Sequence, residues 1–255
     1  MFNTPPAQWL IFIDRLPANL CYYTPMPLIE SLLAKHPLIS NQVSRPQVEV
    51  ILRELERVLS QEIPGDIVEF GCYIGTTSHF IRRLLDAHGH PERSRGISPL
   101  TTPSGISPRA SLGRDDAERL FHVYDSFEGL PPKSTWDASI TGEQFTAGEL
   151  AVSKKQFLRE FQKAHLRPPT IHKAWFKDLT AADVPAHIAF AFLDGDFYES
   201  IRDSLRLVVP RLCPGATVVI DDYARESLPG AARATHEFFP ATKIKVIHNL
   251  GVIHA

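Results

Sequence analysis

The chain has 255 residues, of which 44% are hydrophobic and 22% are charged, and its formal net charge is -2. This length suits one α/β domain with an appendage, and the near-zero charge gives no reason to expect a nucleic acid or an acidic membrane as partner. The three cysteines have no C-x-x-C spacing, and the apolar run Trp9–Ile13 is far too short to span a bilayer. We therefore expect a soluble, cytoplasmic protein without a disulfide framework or a zinc knuckle.

Residues 1–62 are predicted to form an extension ahead of a catalytic domain at residues 63–255. Residues 1–45 are rich in proline and aromatic side chains and contain a short helical patch at Leu28–Ala34. Ser44 and Pro46 indicate the start of a clear helix. Its apolar positions recur at helical spacing: Val48, Ile51, Leu52, Leu55, Val58 and Leu59. Two roles stay open for the extension, a lid or substrate wall and a dimer arm or plain surface packing, so a homo-oligomer also stays open.

A strand, a glycine turn and a helix are predicted next. The strand Ile67–Phe70 leads into Gly71 and Gly75, and a helix with buried Phe80, Ile81, Leu84 and Leu85 ends at Gly89. This arrangement puts a ligand at a helix N-terminus, facing backbone N–H groups. The pattern is E-x-G-x-x-x-G, and the dinucleotide pattern G-x-G-x-x-G is absent, so an NAD site is poorly supported.

A second predicted strand, Phe121–Tyr124, runs into Asp125. A carboxylate at this position can accept hydrogen bonds from both hydroxyls of a ribose, and a turn residue is the alternative. The preceding segment, residues 89–116, is full of Ser, Pro, Gly and Arg and is predicted to be a flexible insertion.

The middle of the chain is predicted to supply a pocket border and a third strand. Residues 133–150 form a polar loop that could border a substrate pocket, Lys154–Ala164 is predicted to be a helix, and Thr170–Ala174 a strand. Trp175 and Phe176 follow that strand. Aromatic side chains at this edge could sandwich a purine or could pack in the core.

Two further strands, Ile188–Leu193 and Ala216–Ile220, each end in carboxylates. These are Asp194 and Asp196 after the first strand, and Asp221 and Asp222 after the second. The intervening helix has Ile201, Leu205 and Val208 on one stripe, with Glu199, Arg202, Asp203 and Arg206 outside it. Pro210 is predicted to end this helix, and Cys213-Pro214-Gly215 to form a turn into the next strand.

Such a βαβ unit brings both strands into one sheet in the same direction, so the four carboxylates are predicted to meet at its ligand-binding edge. Their repulsion is most simply relieved by a hard cation such as Mg²⁺. The alternative is that each Asp pair only begins a turn and caps a helix. Asp194 and Asp196 would share a face if the extended conformation continued through Gly195. A helix at Gly230–Phe239 and strands at Lys243–Ile247 and Gly251–Ile253 are predicted to complete the domain.

Four segments resemble the macrocin O-methyltransferase family in sequence and order, over roughly residues 46–255. They are Pro64-Gly65-Asp66-Ile67-Val68-Glu69-Phe70-Gly71, Tyr124-Asp125-Ser126-Phe127-Glu128-Gly129-Leu130-Pro131, Leu193-Asp194-Gly195-Asp196-Phe197-Tyr198-Glu199-Ser200 and Val219-Ile220-Asp221-Asp222-Tyr223. Members of this family are metal-dependent enzymes that use S-adenosylmethionine to methylate sugar hydroxyls of macrolide and aminocoumarin natural products. The insertion 89–116 and the proline-rich N-terminus are not typical of the family, so its known sugar acceptors need not transfer.

The resemblance implies an α/β fold of the class I methyltransferase (Rossmann-like) type, with helices on both faces of a seven-stranded, mostly parallel sheet whose last strand is antiparallel. It implies S-adenosylmethionine and Mg²⁺, or another divalent cation, as cofactors, and a small hydroxylated acceptor as partner. Asp194, Asp221 and Asp222 match the metal ligands, and Asp196 the general base. The implied cofactor contacts are Glu69, Gly71, Gly75, Thr77 and Asp125. Ser126, Trp175 and Phe176 are further candidates for cofactor contact.

Two other functions stay open. Phe192-Leu193-Asp194-Gly195-Asp196 also resembles the first motif of haloacid dehalogenase-type phosphatases, in which Asp194 would be the nucleophile of a Mg²⁺-dependent phosphoester hydrolysis. Tyr198 and the position of this strand along the chain depart from that pattern. The other alternative is a non-catalytic protein that binds S-adenosylmethionine, which would have no use for four acids.

Overall fold

The computed structural model describes residues 26–89, 119–141 and 145–255, and its seven strands form one sheet. The strands are β1 Asp66–Phe70, β2 Phe121–Asp125, β3 Thr170–Lys173, β4 Ile188–Leu193, β5 Leu212–Ile220, β6 Lys245–Ile247 and β7 Leu250–His254. Their order is β3-β2-β1-β4-β5-β7-β6, and β7 is antiparallel to both of its neighbours. The predicted class I methyltransferase sheet is therefore confirmed. The predictions for Trp9–Ile13, for Cys21 and for the insertion beyond Gly89 lie outside the described residues.

Helices cover both faces of the sheet. They are α1 Leu28–Lys35, α2 Arg45–Ser60, α3 Thr76–Ala87, α4 Lys154–Lys163, α5 Tyr198–Val208 and α6 Pro229–His236. Successive strand residues point to opposite faces, so Ile67 belongs to the core under the first four helices and Val68 to the core under α5 and α6. In the part of the chain that is described, no helix is long and apolar enough to cross a membrane.

Helix α2 begins at a capping box. The Ser44 side chain accepts a hydrogen bond from the backbone N–H of Gln47, and the Gln47 side chain accepts one from the backbone N–H of Ser44. Pro46 lies in the first turn, where its missing N–H costs nothing. All six predicted apolar positions of this helix are buried, and they pack in the same core as α1, α3 and strands β1, β4 and β5.

Two predicted details of β5 and α5 were wrong. The predicted turn at Cys213-Pro214-Gly215 lies within β5, because a bulge lets Leu212 pair with Ile188 and Thr217 with Phe190. Gly215 takes φ +85° inside this bulge. Asp203 was expected on the exposed side of α5 but is 8% exposed, since α5 packs against α6 and against the short helix at Phe176–Asp178.

Near the C-terminus, α6 and β6 are shorter than predicted, and β7 at Leu250–His254 is longer. Helix α6 ends at His236 instead of Phe239. Ala241–Lys243 forms one turn of 3₁₀-helix, so strand β6 starts only at Lys245. Pro240 separates the two helical segments, since a proline disfavours helical backbone in the residue before it.

Candidate active site

The turn between β1 and α3 lies directly against the end of β4. The Asp194 N–H donates to the Phe70 carbonyl at 2.8 Å. Gly71 has φ +85°, and a Cβ added to it would lie 1.8 Å from the Asp194 carbonyl oxygen. No other residue type fits there, because the turn needs both the left-handed conformation and the close approach. The glycine turn and the first carboxylate are therefore neighbours.

Asp125, at the end of β2, is held by backbone donors of the glycine turn. Its Oδ2 accepts from the N–H groups of Cys72 at 2.9 Å and Tyr73 at 3.3 Å, and its Oδ1 accepts from the Phe127 N–H at 2.7 Å. The predicted turn role is thus real. Asp125 and Ser126 also line a cavity at this edge of the sheet, so a role in the turn and a role in ligand binding do not exclude each other.

The four predicted carboxylates line the same cavity as Gly71 and Asp125. Burial, followed by repulsion from Asp221, raises the pKa of Asp194 well above its usual range. Burial and repulsion from Asp222 do the same for Asp196, and they raise the pKa of Asp221 to about 7. Burial also raises the pKa of Asp222, with Arg225 opposing the shift. The cluster is therefore electrostatically unfavourable when all four groups are ionised.

The backbone around the cavity is unusual. Asp196 has φ +54°, Asp222 has φ +53° and Tyr73 has φ +46°, and all three line the cavity. Non-glycine residues in this region cost free energy and are concentrated at functional sites. The left-handed Asp196 also corrects one expectation: the extended conformation ends at Leu193, so strand alternation does not put Asp194 and Asp196 on one face.

Two polar neighbours of the carboxylates were missed by the sequence reasoning. Arg225 Nη1 donates to Asp222 Oδ1 at 3.0 Å, and Gln47 Nε2 donates to Asp221 Oδ1 at 3.1 Å. Arg225 lies three residues after Asp222, and that spacing could have indicated the pair. Gln47 is 174 residues from Asp221, and no local pattern connects them.

The donor chemistry of the cluster fits a hard cation, since it consists of carboxylate oxygens at the edge of a sheet. Across the three described ranges, however, no group of three or more His, Cys, Asp or Glu side chains is arranged to hold a metal ion. Two of the predicted ligands also accept hydrogen bonds from protein donors through Oδ1: Asp222 from Arg225 and Asp221 from Gln47.

Three predicted cofactor residues do not line the cavity. Glu69 is 1% exposed and accepts a hydrogen bond from the Ser78 hydroxyl, and burial raises its pKa to about 8. Gly75 caps α3 with φ +97°, and a Cβ there would lie 2.9 Å from the Phe157 ring. Thr77 is buried in the first turn of α3. These residues lie behind the glycine turn and not on the cavity wall.

Trp175 and Phe176 separate two adjoining cavities. Both line the cavity of the carboxylates, where Phe176 also meets the Phe70 ring edge-on with centroids 5.2 Å apart. A second cavity, of about 520 Å³, shares Trp175, Phe176, Pro131 and Ser200 with the first. The predicted polar loop borders both: Lys133 and Ser134 line the second cavity, and Phe145 and Leu150 the first.

Comparisons of the sequence with known proteins identify O-methyltransferases as relatives. Residues 104–253 match the family model of macrocin-O-methyltransferase (TylF). The chain is 33% identical over 189 residues to 8-demethyl-8-(2,3-dimethoxy-alpha-L-rhamnosyl)-tetracenomycin-C 4'-O-methyltransferase of Streptomyces olivaceus, covering 72% of this chain and 61% of that protein. It is 28% identical over 191 residues to mycinamicin III 3''-O-methyltransferase of Micromonospora griseorubida, covering 72% and 64%. The chain thus spans less than two thirds of the length of these relatives.

Solved structures give the same result for the fold. The O-methyltransferase NovP superposes with a TM-score of 0.63 at 25% identity, covering 83% of this chain and 80% of that one. The calicheamicin methyltransferase CalS11 superposes with a TM-score of 0.62 at 18% identity, covering 89% of both chains, and this likeness concerns the fold alone. With the family model matching more than half of its length, the chain belongs to the macrocin-O-methyltransferase (TylF) family.

Proposed function

We propose that this protein is an S-adenosylmethionine-dependent O-methyltransferase that modifies a hydroxyl group of a sugar in natural-product biosynthesis. One observation carries the proposal: the glycine turn after β1, the carboxylate of Asp125 and four aspartates border a single cavity. Open α/β sheets bind their ligands at this edge of the strands. The names of the relatives support the reaction, since one of them is a 4'-O-methyltransferase of a rhamnosyl-bearing tetracenomycin.

The cofactor would lie along the β1 and β2 side of the cavity. In this proposal Gly71 allows close approach of the ligand, and Asp125 accepts hydrogen bonds from the ribose hydroxyls beside Ser126. Trp175 and Phe176 pack against the purine. Glu69, Gly75 and Thr77 act from behind the turn, where Glu69 and Ser78 tie β1 to α3.

A divalent cation, Mg²⁺ or a relative, would be held by Asp194, Asp221 and Asp222. The support is the set of raised pKa values, because four carboxylates that destabilise one another gain the most from a positive charge. When bound, the cation supplies Lewis acidity to the acceptor hydroxyl. In its absence Arg225 provides part of the same charge compensation to Asp222.

Asp196 would be the general base. It is 8% exposed and lines the cavity, and burial, with repulsion from Asp222, raises its pKa well above that of a solvated carboxyl. A carboxylate with a raised pKa is a stronger proton acceptor, which suits removal of a proton from a weakly acidic sugar hydroxyl. The methyl group of a sulfonium is already activated, so the remaining task of the protein is to align oxygen, carbon and sulfur.

The acceptor would enter from the second cavity, past Trp175 and Phe176. The extension at residues 1–62 is proposed to form part of the substrate wall of the catalytic domain at 63–255, since Gln42 lines the cavity of the four aspartates. The other partner assignments remain proposals: a cytoplasmic enzyme with a small hydroxylated acceptor, no nucleic-acid or membrane partner, and a possible homo-oligomer. The phosphatase alternative has no support from the family or from the strand order.

The test is transfer of label from methyl-labelled S-adenosylmethionine to a panel of rhamnosylated and otherwise glycosylated acceptors, with the sugar-free aglycones as matched controls. We expect labelled product only from glycosylated members, and S-adenosylhomocysteine binding by calorimetry. Absence of S-adenosylhomocysteine binding would refute the methyltransferase assignment. Labelling of the aglycones alone would refute the sugar assignment and leave the reaction class intact.

A further inference from the structure

The side chain of Gln47 makes contacts at both ends. Its Oε1 accepts hydrogen bonds from the backbone N–H of Ser44 at 2.9 Å and from the Ser44 hydroxyl at 2.7 Å, which closes the capping box of α2. Its Nε2 donates to Asp221 Oδ1 at 3.1 Å. The first turn of α2 is thus joined to the carboxylate cluster by one amide group.

Glutamine can make both contacts at this position, whereas an ionised glutamate cannot. Glutamate and glutamine serve equally in a capping box, because either supplies the accepting oxygen. A carboxylate of glutamate, however, cannot donate a hydrogen bond to Asp221, whereas an amide both accepts and donates. Glutamine therefore fulfils a requirement that helix capping alone does not impose.

The Asp221 carboxylate accepts two described hydrogen bonds, and both end on Oδ1. The first comes from Gln47 and the second from the Asp222 N–H at 2.9 Å. Two donors on one oxygen fix the rotation of the carboxyl group. Asp221 lines the cavity, so the fixed carboxylate presents a defined group to whatever binds there. Gln47 itself is anchored, because the backbone N–H of Ser44 restrains its amide and α2 packs in the core under the sheet.

We propose that Gln47 is a positioning residue, which holds the Asp221 carboxylate in the orientation that the cation site requires and couples the N-terminal helix to that site. This inference rests on the proposed function, specifically on a cation at Asp194, Asp221 and Asp222. A second polar contact holds the same segment: Ser40 Oγ lies 2.8 Å from Thr76 Oγ1 at the start of α3. The connection between α1 and α2 is thus fixed near the glycine turn and near the carboxylates.

The test compares Gln47→Met with Ser44→Ala in the full chain. Both variants damage the capping box, so both should lower the melting temperature, but only Gln47→Met removes the donor to Asp221. We expect Gln47→Met to weaken Mn²⁺ binding, measured by calorimetry without cofactor or acceptor, by about tenfold, the size expected for a hydrogen bond to a charged group. Ser44→Ala should bind Mn²⁺ as the wild type does.

A double-mutant cycle with Asp221→Ala completes the test. If Gln47 acts through Asp221, then Gln47→Met has no further effect on Mn²⁺ affinity in the Asp221→Ala background. Equal Mn²⁺ affinity of wild type and Gln47→Met, or equal weakening by Ser44→Ala, would overturn the inference while leaving the proposed function intact. Failure of the wild type to bind Mn²⁺ at all would overturn the cation site, and this inference with it.

Discussion

The two halves of the cavity differ in how their charged groups are compensated. On the β1 and β2 side, Asp125 receives three backbone hydrogen bonds from residues of the glycine turn and its own loop. On the β4 and β5 side, four aspartates line the cavity, and Arg225 donates a hydrogen bond to Asp222 while the Gln47 amide donates one to Asp221. In the first half, the folded chain itself supplies the donors that compensate Asp125. In the second half, the aspartates repel one another, and a bound cation would relieve this repulsion.

Asp196 and Asp222 on the aspartate side have left-handed backbone, as has Tyr73 in the glycine turn. Aspartate tolerates that conformation better than most residues, yet it still costs free energy, which a functional site can carry if the rest of the fold is stable. Here the strands on which the site depends lie in two well-buried cores. The packing of the sheet therefore offsets the free-energy cost of the left-handed backbone at Asp196 and Asp222.

The largest expected effect is on the turnover number, and it distinguishes Asp196 from the proposed metal ligands. Asp196→Asn keeps the shape and removes the basicity, so the turnover number should fall by roughly 10²–10⁴ with affinities for Mg²⁺ and S-adenosylmethionine unchanged. Asp194→Asn should instead weaken Mg²⁺ binding and regain activity in excess Mg²⁺. Steady-state kinetics over a range of Mg²⁺ concentrations distinguish the two variants. Rescue of Asp196→Asn but not of Asp194→Asn would reverse the assigned roles.

A smaller effect is expected on the other half of the cavity. If Asp125 accepts hydrogen bonds from the ribose hydroxyls as proposed, Asp125→Ala removes this acceptor, a loss of about 1.5–3 kcal/mol. The dissociation constant for S-adenosylhomocysteine should therefore rise at least tenfold, while Mn²⁺ affinity stays the same. Calorimetry measures both quantities on one preparation. An unchanged cofactor constant would restrict Asp125 to its role in the turn.

Burial of the carboxyl groups and the repulsion among them predict how the stability of the protein without a cation depends on pH. The pKa of Asp221 is about 7 in the folded protein and that of Glu69 about 8, both above the values of solvated carboxyls. At pH values between the pKa of a solvated carboxyl and these raised pKa values, the folded state binds more protons than the unfolded state. The free energy of unfolding therefore falls as pH rises. We expect a lower melting temperature at pH 8 than at pH 6 in the presence of a chelator. Asp221→Asn should reduce this difference, and an undiminished difference would assign it to other groups.

The smallest effect is expected for the segment at 89–116. The elements that flank it, the end of α3 and the start of β2, lie on the side of the sheet opposite the ligand edge. Replacing it with a short Gly/Ser linker should leave turnover within a few-fold of the wild type. A loss of activity with an unchanged circular dichroism spectrum would show that this segment reaches the cavity.

Much of this architecture could be predicted from local patterns. The capping residues and apolar spacing of α2, the run Ile188–Leu193 and the carboxylates that follow β4 and β5 are all local signals, and parallel βαβ topology brings their ends together. The bulge in β5 could not be predicted, because Pro214 and Gly215 are as typical of turns as of bulges. Burial of Asp203 and the contact of Gln47 with Asp221 depend on packing between segments far apart in the chain.

The central claim is that the aspartate half of the cavity is a cation site, and thermal unfolding at pH 8 tests it most directly. A ligand that binds only the folded state at 100 times its dissociation constant adds about 2.7 kcal/mol, which for a domain of this size raises the melting temperature by about 5–10 °C. We expect Mg²⁺ to produce such a rise in the wild type and none in the Asp194→Asn/Asp221→Asn variant. No rise in the wild type, or the same rise in both proteins, would contradict the claim.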